Sequence, residues 1–220
     1  MPDGIVDHPS PNCGPRRNGL TPSLIVIHYT AMESADAALN RLCDPAAEVS
    51  AHYLISNRGR VTQMVDENQR AWHAGAGSWR GVDDINSRSV GIELDNTGKH
   101  PFSEPQMTAL EELLRSIMER WAILPSGVIG HSDMAPGRKS DPGLHFDWAR
   151  LARQGLAAPV VTQAVTDCDP DSFVQAAMDA GYPAGSDFDD LLACVRLRSA
   201  PWRSGALTRD DYAFPEIPSD

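Results

Sequence analysis

Two imidazoles and two carboxylates stand out in this chain by the company they keep. His131 opens and Asp141 nearly closes the segment His131-Ser132-Asp133-Met134-Ala135-Pro136-Gly137-Arg138-Lys139-Ser140-Asp141-Pro142-Gly143, and His28 ends the apolar run Leu24-Ile25-Val26-Ile27. Two histidines and an aspartate meet the needs of a hydrolytic zinc site, which takes three protein ligands and leaves one position for water. Glu93 lies in Val90-Gly91-Ile92-Glu93-Leu94, where a carboxylate among apolar neighbours is costly to bury unless it is paired or put to use. It is a candidate base; the plainer alternative is a solvent-facing position of an alternating strand. Lys139 is either a solvated loop lysine or an ammonium able to meet a developing negative charge. Arg138 either holds the loop or contacts a substrate carboxylate.

Groups meant to act together need rigid elements behind them. Leu24 to His28 reads as a first core strand, and the β-branched Val128-Ile129-Gly130 delivers His131 as Ile25-Val26-Ile27 delivers His28. Proline and glycine make the 131–143 segment a shaped loop rather than a helix or strand. Residues 52–56 and 60–65 read as strands joined by the hairpin signal Asn57-Arg58-Gly59, and 89–95 as a central strand buried on both faces. Ser34 caps a helix over 35–43. A longer helix over about 104–122 starts at the capping-box pair Ser103 and Gln106 and carries Met107, Leu110, Leu114, Ile117 and Trp121 on one stripe. Strands interleaved with helices, one pair of them a hairpin, predict an α/β domain with a mixed central β-sheet flanked by helices. Residues 1–20 read as an irregular arm.

Ile27-His28-Tyr29-Thr30, Gly91-Ile92-Glu93-Leu94 and the 131–143 loop, in that order, resemble the type 2 N-acetylmuramoyl-L-alanine amidases. That family includes the peptidoglycan-recycling amidases and is related to animal peptidoglycan recognition proteins. The resemblance covers about residues 20–155. It implies His28, His131 and Asp141 as ligands of Zn2+, Glu93 as the water-activating base and Lys139 as the oxyanion partner. The implied substrates are muropeptides, cut between the lactyl group of N-acetylmuramic acid and L-alanine, with anhydro-muropeptides of wall recycling favoured. Trp72-His73-Ala74-Gly75 resembles a family segment bordering the cleft, so Trp72 and His73 are candidate sugar or peptide contacts; a core tryptophan beside a satisfied histidine is the alternative. Asn86 and Arg88 are candidates for the same rim, whereas His52 and His145 read as structural. A non-catalytic peptidoglycan receptor is the competing class, but it has no need of the full set of five polar residues. A zinc peptidase of another fold would show the HExxH spacing, which is missing.

The chain of 220 residues has a formal charge of −11, which argues against nucleic acid and against an anionic membrane as partners. No apolar run approaches the ~18 residues of a membrane span. The amino-terminal residues lack the basic start and apolar core of a secretory signal, so the expectation is cytosolic, or periplasmic if the natural start has been trimmed. Four scattered cysteines read as reduced thiols. The expected domains are 1–159, the amidase with its arm, and 160–220, a small acidic helical module. In the latter Asp171 or Ser172 caps a helix carrying Phe173, Val174, Ala177 and Met178, and a second helix carries Phe188, Leu191, Leu192 and Val195. A third short element spans Arg198 to Tyr212. The module faintly resembles the helical peptidoglycan-binding domains that follow some amidases, but bracing the fold is the favoured role, because the linker 154–159 is short and apolar.

Overall fold

The computed structural model describes residues 4–217. They run through β1 (Val6–Asp7), β2 (Cys13–Pro15), β3 (Leu24–Tyr29), α1 (Ala35–Cys43), β4 (Tyr53–Ile55), β5 (Val61–Gln63) and β6 (Gln69–Ala71). The turn of helix α2 (Ile85–Arg88) leads into β7 (Ser89–Leu94), followed by α3 (Glu104–Trp121), β8 (Val128–Gly130), α4 (His131–Met134) and α5 (Trp148–Arg153). The carboxy-terminal region adds β9 (Val160–Thr162), α6 (Pro170–Asp179), α7 (Phe188–Ser199) and β10 (Ala213–Pro215). No helix among them is long and apolar enough to cross a membrane.

Six strands form the expected mixed sheet in the order β1-β5-β4-β7-β3-β8. Only the β4–β5 hairpin is antiparallel; β3 is flanked by parallel β7 and β8. Gly59 in that hairpin has φ +81°, and a Cβ there would lie 2.6 Å from the Pro105 carbonyl oxygen, so the turn requires glycine. Side chains alternate along β3 and β7. Ile25, Ile27, Val90, Ile92 and Leu94 bury against α3 and α5 on one face. Leu24 and Val26 face the other way, and His28, Gly91 and Glu93 share their parity. The chemistry-bearing residues therefore occupy one sheet face, opposite the α3 layer.

Three expectations are corrected. Ser103 does accept from the Gln106 amide, but Gln106 sends its side-chain amide to the carbonyls of Ile55 (2.9 Å) and Asp95 (3.2 Å), so the capping box is one-sided. The amino-terminal arm is not irregular throughout: β1 pairs with β5 and β2 with β6. Arg16 pins it by donating to the carbonyls of Glu67, Asn86, Ser87 and Ser89. The 131–143 segment begins with the helical turn α4 before becoming a loop.

The carboxy-terminal region also departs from a three-helix module. Asp169, not Asp171 or Ser172, caps α6, accepting from both of their amides. Beyond α7 the chain forms a 3₁₀ turn and β10, which pairs with β9, while Trp202 is exposed. These elements do not enclose a core of their own. Phe173, Ala177, Leu191, Val195, Tyr212 and Phe214 share one buried cluster with Leu24, Val26, Ile129 and Met134 of the sheet and α4.

The seam between them is polar as well. Arg198 of α7 donates to Asp133 of α4 at 2.8 Å, both side chains being almost wholly buried, and Asp133 also accepts from the Gly130 amide at 2.8 Å. Removing one partner of such a pair strands a buried charge, at about 3–5 kcal/mol. Arg198→Met is accordingly expected to lower stability by at least about 3 kcal/mol in urea denaturation; an unchanged midpoint would contradict the bracing role of this contact.

Candidate active site

The ends of β3, β7 and β8 bring the polar set together. His28 is in register with Glu93 across the β3–β7 ladder, and Ile27 pairs with Gly130, the residue before His131. His28 Nδ1 lies 2.9 Å from His131 Nδ1 and 2.9 Å from Asp141 Oδ2, and His131 Nδ1 lies 3.1 Å from the same oxygen. All three residues are buried. They line one end of a cavity of about 190 Å³ shared with Glu93, Lys139, Trp72 and His73. The walls that the sequence did not reveal come from α1 and its flanks: Met32, Arg41, Leu42 and Val49.

The outer nitrogens of both histidines are also engaged. His131 Nε2 lies 2.9 Å from the Ala74 carbonyl, which can only accept, so neutral His131 is bare at Nδ1. His28 Nε2 lies 3.0 Å from His73 Nδ1. The Ala74 carbonyl accepts from Arg138 as well, at 2.8 Å, and Arg138 also donates to the Ala76 carbonyl. Arg138 thus holds the 74–76 loop rather than offering its guanidinium to the cavity. Asn86 is corrected in the same way: its buried Oδ1 accepts from the amides of His73 (3.0 Å) and Ala74 (2.8 Å), so it shapes the loop and does not line the cleft. His52 is structural as expected, accepting from the Gly91 amide through Nδ1 at 2.9 Å.

Residues 18–144 match the family model described as N-acetylmuramoyl-L-alanine amidase. The chain belongs to this family. It is 41% identical over 151 residues to the N-acetylmuramoyl-L-alanine amidase AmiD of Escherichia coli, a match spanning 61% of this chain and 54% of AmiD, about half that relative's length. It is 37% identical to the 1,6-anhydro-N-acetylmuramyl-L-alanine amidase AmpD of Haemophilus influenzae, over 64% of this chain and 86% of that one. By structure it resembles AmiD from E. coli solved with the substrate anhydro-N-acetylmuramic acid-L-Ala-D-γ-Glu-L-Lys, with a TM-score of 0.79 and 30% identity over 95% of this chain and 94% of that one. AmpDh3 from Pseudomonas aeruginosa gives a TM-score of 0.78 and 30% identity over 87% and 88%.

In this amidase family member the donor set fits a metal ion. His28, His131 and Asp141 are the three metal-ligand types that converge among the described residues. Their separations of 2.9–3.1 Å are close to the roughly 3.3 Å edge of a tetrahedron with zinc–ligand bonds of about 2.0–2.1 Å. Burial, then the neighbouring His131, push the His28 imidazole down to about 4. Burial pushes the Asp141 carboxyl up, but its close contacts with His131 and His28 prevail and hold it well below the usual carboxylate range. His28 and Asp141 are thus preset as neutral nitrogen and ionised oxygen, the forms that bind a metal.

Glu93 behaves differently. Its Oε2 is shielded from water and has no hydrogen-bond partner. Burial, then repulsion from Asp141, push its carboxyl up to about 8, with Lys139 opposing. A group bound to more protons in the folded state loses stability as pH rises toward its folded value. Three histidines, His28, His52 and His73, have values lowered by their surroundings and work the other way, but only below about 6.5, where the unfolded chain takes up their protons. Between about pH 6.5 and 8 the metal-free protein is therefore expected to lose stability as pH rises, and Glu93→Gln to flatten that slope; urea titrations of the chelator-treated protein check it. A flat wild-type profile over that window would contradict a shielded, unpaired Glu93 oxygen.

Proposed function

We propose that this protein is a zinc-dependent amidase that hydrolyses the bond between the lactyl group of N-acetylmuramic acid and L-alanine in peptidoglycan fragments. Soluble anhydro-muropeptides are its preferred substrates. The observation that carries the reading is the shared cavity: three converging metal-type ligands, an unpaired carboxylate oxygen and an ammonium all border one space. The family relatives named for anhydro-muramyl substrates support the substrate class.

When bound, zinc polarises the amide carbonyl as a Lewis acid and lowers the pKa of water in its open position to ~7. His28, His131 and Asp141 hold the ion. Glu93 Oε2 takes a proton from the attacking water and returns it to the nitrogen of the departing L-alanine, so the C–N bond breaks to a carboxylate and an amine. Its raised basicity, from burial and from Asp141, suits the first transfer. Lys139, which draws the Glu93 value down by its charge, supplies the positive charge that meets the oxyanion. Trp72, half-buried at the cavity wall, offers an aromatic face to sugar or peptide. A receptor without catalysis would gain nothing from the shielded, unpaired Glu93.

Incubating the zinc-loaded protein with an anhydro-muropeptide should release free peptide detectable by mass spectrometry. Chelation should abolish release and added zinc restore it. Lys139→Met is expected to reduce kcat by about 10²- to 10³-fold, the effect of removing one oxyanion donor, and Glu93→Gln to leave only residual activity. Peptide release from intact sacculi alone would keep the chemistry and overturn the soluble substrate. Binding without cleavage, with zinc verified in place, would leave a recognition protein.

A further inference from the structure

A chain of hydrogen bonds leads from His28 away from the cavity, and each link has a fixed direction. The Ile85 carbonyl can only accept, and Ser89 Oγ lies 2.6 Å from it, so the hydroxyl hydrogen points there. Ser89 Oγ is left to accept from His73 Nε2, 3.1 Å away. A neutral imidazole carries one hydrogen, so His73 presents a bare Nδ1, and it accepts from His28 Nε2 at 3.0 Å. His28 then carries its hydrogen on Nε2 and its lone pair on Nδ1, the atom that meets His131 and Asp141.

We infer that His73 is a positioning residue of the metal centre: with Ser89 and the Ile85 carbonyl behind it, it fixes the tautomer and ring angle of His28. The inference rests on the metal reading above. Ligating histidines in general donate their outer N–H to an acceptor that orients them. For His131 that acceptor is the backbone carbonyl of Ala74. For His28 it is a side chain that is itself ambiguous, which is why two further links are needed to set its polarity.

Adjacent residues thus orient both metal histidines, one by side chain and one by main chain, and Asn86 clamps the amides of both. Room for the imidazole comes from Gly91: a Cβ there would lie 2.5–2.7 Å from three His73 ring atoms. The Trp72-His73-Ala74-Gly75 segment and the glycine before Ile92-Glu93 become one device, the strand giving up a side chain so that the ring can lie against it. His73 borders the cavity, but its ring nitrogens are both occupied by the protein.

The test compares zinc affinity, by competition with a chromophoric chelator, in the wild type, His73→Phe, His73→Gln and Ser89→Ala. Imidazole ¹⁵N NMR of the zinc-free proteins above pH 7 reads the His28 tautomer. His73→Phe is expected to weaken zinc binding by about 10- to 100-fold, the usual effect of losing a ligand's outer partner, with His28 moving its hydrogen to Nδ1. His73→Gln, whose amide can accept from His28 and donate to Ser89, should recover most of the affinity, a rescue that a purely space-filling role would not give. Ser89→Ala should fall between. Wild-type affinity in His73→Phe, or an Nδ1-protonated His28 in the wild type, overturns the inference while leaving the metal reading intact. A wild type that binds no zinc overturns both.

Discussion

The register of three parallel strands governs everything the site does. Backbone hydrogen bonds between β3 and β7 set His28 opposite Glu93, and those between β3 and β8 bring Gly130 beside Ile27 so that His131 follows at the sheet edge. A slip of one residue in either ladder would turn His28, Glu93 or His131 to the α3 side. Register is in turn held by the apolar residues between them, because Ile25, Ile27, Val90, Ile92 and Leu94 can bury only against α3 and α5. The same alternation that makes the core therefore aims the chemistry. Asp141, which completes the converging set, comes from a loop, and that loop needs other support.

That support is supplied by parts distant in sequence. Arg138 holds the 74–76 loop beside His131, while Ser78 donates to the Met134 carbonyl at 3.0 Å. From the other side, α7 meets α4 through Arg198 and Asp133, and Cys194 lies 3.1 Å from the Ser132 carbonyl. The carboxy-terminal helices thus pack as the second cover of the sheet. We propose bracing as their role; the likeness to AmiD, which runs over 95% of this chain, extends through them. Their acidic composition repels anionic partners rather than attracting them.

Much of this was legible in the residues. His28, Glu93 and His131 announced themselves as polar ends or interruptions of β-branched runs, and period-two alternation gave the strands that carry them. Asn57-Arg58-Gly59 gave the hairpin because its glycine had a backbone reason to be there. What stayed hidden depended on partners far along the chain. Nothing local in Val6–Asp7 or Cys13–Pro15 marks a strand; each exists because another strand offers a free edge. Arg138 and Asn86 have the chemistry of substrate contacts, yet carbonyl and amide groups of the 73–76 segment claim them first. Trp202 has the type of a core residue but falls beyond α7, where no element covers it.

We propose that two imidazoles and one carboxylate form a single metal centre at the ends of β3 and β8. X-ray absorption spectroscopy of the zinc-loaded protein tests it most directly. One tightly bound zinc is expected, with only nitrogen and oxygen neighbours at about 2.0–2.2 Å, two of them showing the outer-ring scattering of imidazole. Sulfur scattering near 2.3 Å, or a shell without imidazole, would contradict it.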